Sequence, residues 1–63
     1  MRRIGLINIY GKQRKEAMTI VNKALNNVER LGGTVISAQI DNETPGYILV
    51  LYEAQNDLSH CFD

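Results

Sequence analysis

Cysteine, proline, phenylalanine and tryptophan are nearly missing from this 63-residue chain: one Cys, one Pro, one Phe and no Trp. The lone thiol, Cys61, excludes an intrachain disulfide and gives no sign of a secreted disulfide framework. Charge of one sign is missing as well. Seven Lys and Arg balance seven Asp and Glu, so no global field draws the chain to nucleic acid or to an anionic membrane. Long apolar runs are absent. The stretch from Ile4 to Ile9 is broken by Gly5 and Asn8. It is too short for a signal peptide and far below a membrane span. The expected localisation is cytoplasmic, with no membrane partner. Internal repeats and low-complexity segments are lacking too.

A chain this short is one domain at most. About 60 residues hide only about 60% of the surface that the unfolded chain exposes, which leaves stability marginal. Small scaffolds compensate with disulfides, a metal or partner subunits. With disulfides excluded, partner subunits are the natural remedy.

What is present is a clear alternation of patterns. Arg3 to Tyr10 reads as a strand with Ile4 and Leu6 on one face and Ile7 and Ile9 on the other. Ala17, Ile20, Val21, Ala24, Leu25, Val28 and Leu31 recur at intervals of three and four. They predict an amphipathic helix over Gln13 to Leu31. Gly32-Gly33 supplies the left-handed residue that ends it. Thr34 to Ile40 alternates, with Ile36, Ala38 and Ile40 on one side, Ser37 and Gln39 on the other, and Val35 at its start. Pro45-Gly46 fits the central pair of a type II turn. Tyr47 to Tyr52 is apolar on both faces. The domain therefore spans residues 1–54, and residues 55–63 form a polar C-terminal tail, expected to be loosely held unless it packs on a neighbour.

These elements predict an α+β fold of β-α-β-β order. A helical crossover makes the first and second strands parallel, and a hairpin makes the second and third antiparallel. The third strand, apolar on both faces, suits the centre, giving a three-stranded antiparallel sheet of order 1-3-2 with the helix on one face. The arrangement resembles half of a ferredoxin-like fold, and also the dodecin architecture. The resemblance is one of architecture alone, and architecture does not fix function. The second face of the sheet keeps an apolar pair from the first strand, three large residues from the third, and Val35. A contiguous apolar patch on a sheet calls for a cover. At about 25 cal/mol per Å², burying several hundred Å² is worth many kcal/mol, comparable to the whole stability of such a domain. A second copy of the chain is the expected cover, and the tail folding back with Leu58 and Phe62 is the alternative.

Charge is uneven along the chain. All seven Lys and Arg lie at or before Arg30, and five of the seven acids lie at or after Asp41. The predicted topology brings the two halves together, so solvated ion pairs would account for much of this asymmetry. One corner stands out. Gly11 between strand and helix, with Lys12, Arg14 and Lys15, offers cations beside a helix start. Tyr10 and Tyr47 belong to the same end of the sheet, where a tyrosine pair beside Arg and Lys can stack a base and hold a phosphate. The candidate ligand-binding residues are therefore Tyr10, Gly11, Lys12, Arg14, Lys15 and Tyr47. The segment lacks the glycine pattern of a phosphate loop or a dinucleotide fingerprint.

Asp57, His60, Cys61 and Asp63 match no zinc spacing, so no metal and no cofactor are expected. One His and one Cys side by side offer no nucleophile with an oriented base, and no carboxylate pair has a stated reason for a shifted pKa. No catalytic residue is assigned. The expectation is a non-catalytic homo-oligomer that holds a small anionic, nucleotide-like ligand at a subunit interface. The size matches an accessory protein of a phage or mobile element that sequesters a signal molecule. The alternative is an interaction module that binds another protein through the apolar sheet face or an edge strand. A nucleic-acid binder ranks third, because net charge is zero.

Overall fold

The computed structural model describes residues 1–62, and Asp63 lies outside the described residues. Strand β1 runs over Arg2–Asn8, helix α1 over Arg14–Arg30, β2 over Thr34–Ile40 and β3 over Tyr47–Glu53, and a short 3₁₀ turn covers Ser59–Phe62. The sheet has the order β1-β3-β2, and β3 is antiparallel to both neighbours. This is a small α+β fold with the predicted strand order.

Each end of α1 has a local cause. Gln13 takes extended backbone at the N-cap, and its side chain makes no capping bond. At the other end Gly33 N–H donates to the Val28 carbonyl at 2.9 Å and Gly32 N–H to the Glu29 carbonyl at 3.1 Å. This pair of bonds is the Schellman closure, and it requires the left-handed conformation that Gly32 adopts at φ 92°. In the hairpin, Gly46 has φ 86°, as the third residue of a type II turn after Pro45 demands. The Gly46 carbonyl then accepts from Ile9 N–H at 2.7 Å, which ties the hairpin to the end of β1.

Strand alternation sorts the side chains. Ile7, Val50 and Tyr52 face α1 and are buried with its Ala24 and Val28. Ile4, Leu6, Tyr47, Leu49 and Leu51 take the opposite face, as the pairings Ile4↔Leu51, Leu6↔Leu49 and Asn8↔Tyr47 require. Strand β2 departs from the simple alternation. A bulge between Val35 and Ser37 lets Val35 pair with Tyr52 and Ser37 with Leu51. Val35 therefore packs against the core on the helix side, not on the open face as expected. The open face of β2 carries Thr34, Ser37 and Gln39, and the unpaired Ile36 at the bulge is exposed and outside the core rather than in line with Ala38 and Ile40.

The tail also departs from expectation. Leu58 and Phe62 are buried members of the core, with Ala54. The Phe62 ring packs against Tyr52 with centroids 5.4 Å apart. The Leu58 N–H donates to the Tyr52 hydroxyl at 3.3 Å. The segment folds back, but onto the helix face rather than over the open face. The physical reason is room: α1 lies toward β2, and the small Gly5 on β1 leaves space beside it that the Phe62 ring occupies.

Candidate functional site

All six predicted ligand residues lie at one end of the sheet, where β1 finishes, α1 starts and β3 begins. The turn between β1 and α1 is held by Lys12 N–H donating to the Ile9 carbonyl at 3.1 Å, and by Tyr10 N–H donating to Asn8 Oδ1 at 2.9 Å. Tyr10 is exposed, and its Cβ sits against Gly46. Gly11 lies in the turn with open space around it. Lys15 is exposed on the outer side of the first helical turn, where its carbonyl accepts from the Thr19 hydroxyl at 3.2 Å.

The sheet divides the rest. Tyr47 pairs with Asn8 at the open face, whereas Lys12 and Arg14 border a groove on the helix side. The two tyrosines and the two cations thus share an end of the molecule without sharing one surface. The groove is an open cleft of about 610 Å³ between the first half of α1 and the ends of the strands, lined by Ile9, Ala17, Met18, Val21, Ile40 and Ile48. Met18 lies outside the apolar stripe read from the helix period, and Ile40 was placed by alternation with no role at a site. The signal for the groove is nevertheless in the sequence. Arg14, Ala17, Met18 and Val21 fall at i, i+3, i+4 and i+7, one face of the helix running from a cation into apolar side chains.

Among the described residues the hairpin acids make no ion pair with this corner. Among the described residues the ion pair recorded is Lys12 with Glu16, at 3.7 Å between exposed groups, a contact of little strength in water. Asp41 turns inward to its own loop, its Oδ1 accepting from Glu43 N–H at 3.0 Å. At the opposite end Arg2 stands across from Glu53 in the sheet and Arg3 acts on Asp57 through its field, while the hydrogen bonds of Arg3 and Arg30 go to carbonyl and amide oxygens. Arg3 Nη2 donates to the Gln55 carbonyl at 3.2 Å, and Arg30 Nη2 to Asn27 Oδ1 at 3.4 Å.

His60 and Cys61 lie in the 3₁₀ turn. Among the described residues no three His, Cys, Asp or Glu side chains converge as a metal site would require. Hydrogen bonds from Ser59, its N–H at 2.9 Å, hold the Asp57 carboxyl below the ordinary value, helped by the fields of Arg3 and His60. Among the described residues no helix is long and apolar enough to cross a membrane. Compared with protein-family models, curated proteins and solved structures, the chain shows no significant match.

Proposed function

We propose that this protein is a non-catalytic, self-associating binding protein whose copies meet through the open sheet face and which holds a small anionic ligand at the Lys12–Arg14 end. The observation that carries this reading is the bare apolar face of the sheet. Ile4 is 66% exposed and Leu6 is 44% exposed, beside the half-buried Leu49 and Leu51, and the tail that might have covered them packs on the other side. Four large aliphatic residues on adjacent strands form the kind of contiguous patch that marks an interface. Along β2 the patch borders the polar Thr34, Ser37 and Gln39, with the exposed Ile36 at the bulge.

A second reading, an interaction module for another protein, is favoured by one feature. Strand β1 is an unpaired edge with regular pairing to β3 throughout, and a regular edge can accept a foreign strand. Native mass spectrometry of the purified protein separates the two. A dimer or higher assembly at micromolar concentration, with or without a retained small molecule, supports self-association. A compact monomer under the same conditions removes it and leaves the edge-strand reading.

A further inference from the structure

Met18 is 56% exposed and Ile40 is 70% exposed, and both lie along the groove beside α1. The fold leaves these two large apolar side chains bare at a concave place, with cations at its border. We infer that the groove takes a small amphiphilic anion: a single carboxylate on an unbranched apolar body, the chemistry of a medium-chain alkyl carboxylate. This names the ligand class for the anion-binding part of the function proposed above and rests on that part of it.

Three observations converge. The first is the stripe itself. From Arg14 to Val21 the helix rises ~10 Å, with Ala17 and Met18 between, so one straight path leads from a guanidinium over apolar side chains. Ile9, Ile40 and Ile48 form the facing wall. The second is charge. Among the described residues Arg14 has no acidic partner in an ion pair, and Lys12 holds only the exposed Glu16 at 3.7 Å. A carboxylate can pair with Arg14 in bidentate fashion and compete for Lys12. The third is the scarcity of neutral polar groups. Asn22 is the one uncharged polar residue on the lining. A nucleobase would leave most of its edge donors and acceptors unpaired against Ile and Met, which binding does not tolerate cheaply. An alkyl body has no such groups. The groove volume of about 610 Å³ falls within the range of ordinary small-ligand sites.

The test is a titration of the full-length, methyl-labelled protein followed by NMR, with its mass measured in the same buffer. Decanoate below its micelle concentration is the probe. Acetate supplies the charge alone, decanol the tail alone, and adenosine monophosphate the nucleotide. Decanoate is expected to move the Met18, Val21 and Ile40 methyl signals saturably, with acetate and the nucleotide leaving them in place. Decanol should bind about tenfold more weakly, as should decanoate to Arg14→Ala, because each lacks one half of the charge-assisted contact. Met18→Glu should abolish binding while leaving the fold intact, since that side chain is already largely exposed. Equal shifts with the nucleotide, decanoate shifts confined to Leu6 and Leu49, or contacts from the Met18 and Ile40 methyls to a second copy with no decanoate response would each overturn the assignment. The mass keeps the two ideas apart. A monomer that binds decanoate ends self-association and leaves the groove assignment standing.

Discussion

The Phe62 ring lies where a Cβ on Gly5 would be. An added methyl at that position would overlap Cε2 and Cδ2 of the ring. One glycine in an edge strand and one aromatic near the end of the chain therefore determine each other across the whole sequence. Tyr52, its ring tilted 46° against that of Phe62 and directly across from Arg3 on β1, completes the contact.

Gly5→Ala is accordingly expected to lose about 1–3 kcal/mol by overpacking, the usual range when methyl groups are forced into a filled core. A smaller side chain at residue 62 relieves the overlap. The double variant Gly5→Ala/Phe62→Leu should be less destabilised than the sum of its singles. Urea denaturation of the four proteins measures the coupling. Strict additivity would show that the ring does not depend on the missing Cβ.

Removal of residues 55–63 should prevent cooperative folding. Leu58 and Phe62 are each more than nine-tenths buried, and deleting large core side chains costs about 2–5 kcal/mol apiece. A small domain with about 5–15 kcal/mol in total has little margin for that. Circular dichroism of a chain ending at Ala54 checks this: a sharp thermal transition near that of the intact protein would show the segment to be dispensable.

The chain announced its regular elements because each carries a period. The helix stripe from Ala17 to Val28, the two-faced Tyr47–Tyr52 run and the Gly32 stop all follow from spacing. So did the strand order, since β3 is the most apolar of the three strands on both faces. The tail carried no such period. Leu58 and Phe62 are two apolar residues in a polar stretch, and a single 3₁₀ turn is too short to repeat a pattern. The bulge at Val35–Ser37 was equally silent, because a one-residue insertion leaves the sequence alternating while moving Val35 to the other face. At the candidate site, spacing along the chain located the end of the molecule but not the surface. Tyr47 and Arg14 are neighbours by topology, and the pleat of β3 sends Tyr47 to the face away from the groove.

Two adjacent residues of β3 should respond oppositely to the same substitution. Val50 is fully buried under the helix, so Val50→Glu places an unpaired carboxylate in the core at a cost of several kcal/mol and should unfold the protein. Leu49 lies on the open face, opposite Leu6. Leu49→Glu should keep the native circular dichroism and shift the mass measured by light scattering to that of one chain. A Leu49→Glu protein that keeps the parent's assembly would move the interface off this face.

Acid should loosen the C-terminal segment first. Asp57 accepts the Ser59 N–H at 2.9 Å and so holds the entry to the 3₁₀ turn. Those hydrogen bonds lower its pKa in the folded protein below the ordinary 3.8. A carboxyl with a lowered folded pKa releases its proton more readily in the native state, so the unfolded chain binds more protons in the interval between the two values. Its stabilising contribution is fully present above 3.8 and is lost as pH falls through the lower folded value. Asp57→Ala removes that dependence. It leaves the Ser59 N–H to water, which loosens the entry to the turn. Because Leu58 precedes this turn and Phe62 ends it, the effect should be read at the core: the Phe62 ring signals and the Leu58 amide protection should weaken in the variant at neutral pH, and in the parent only at strongly acid pH. Equal acid sensitivity of parent and variant below 3.8 would assign the transition to other carboxylates.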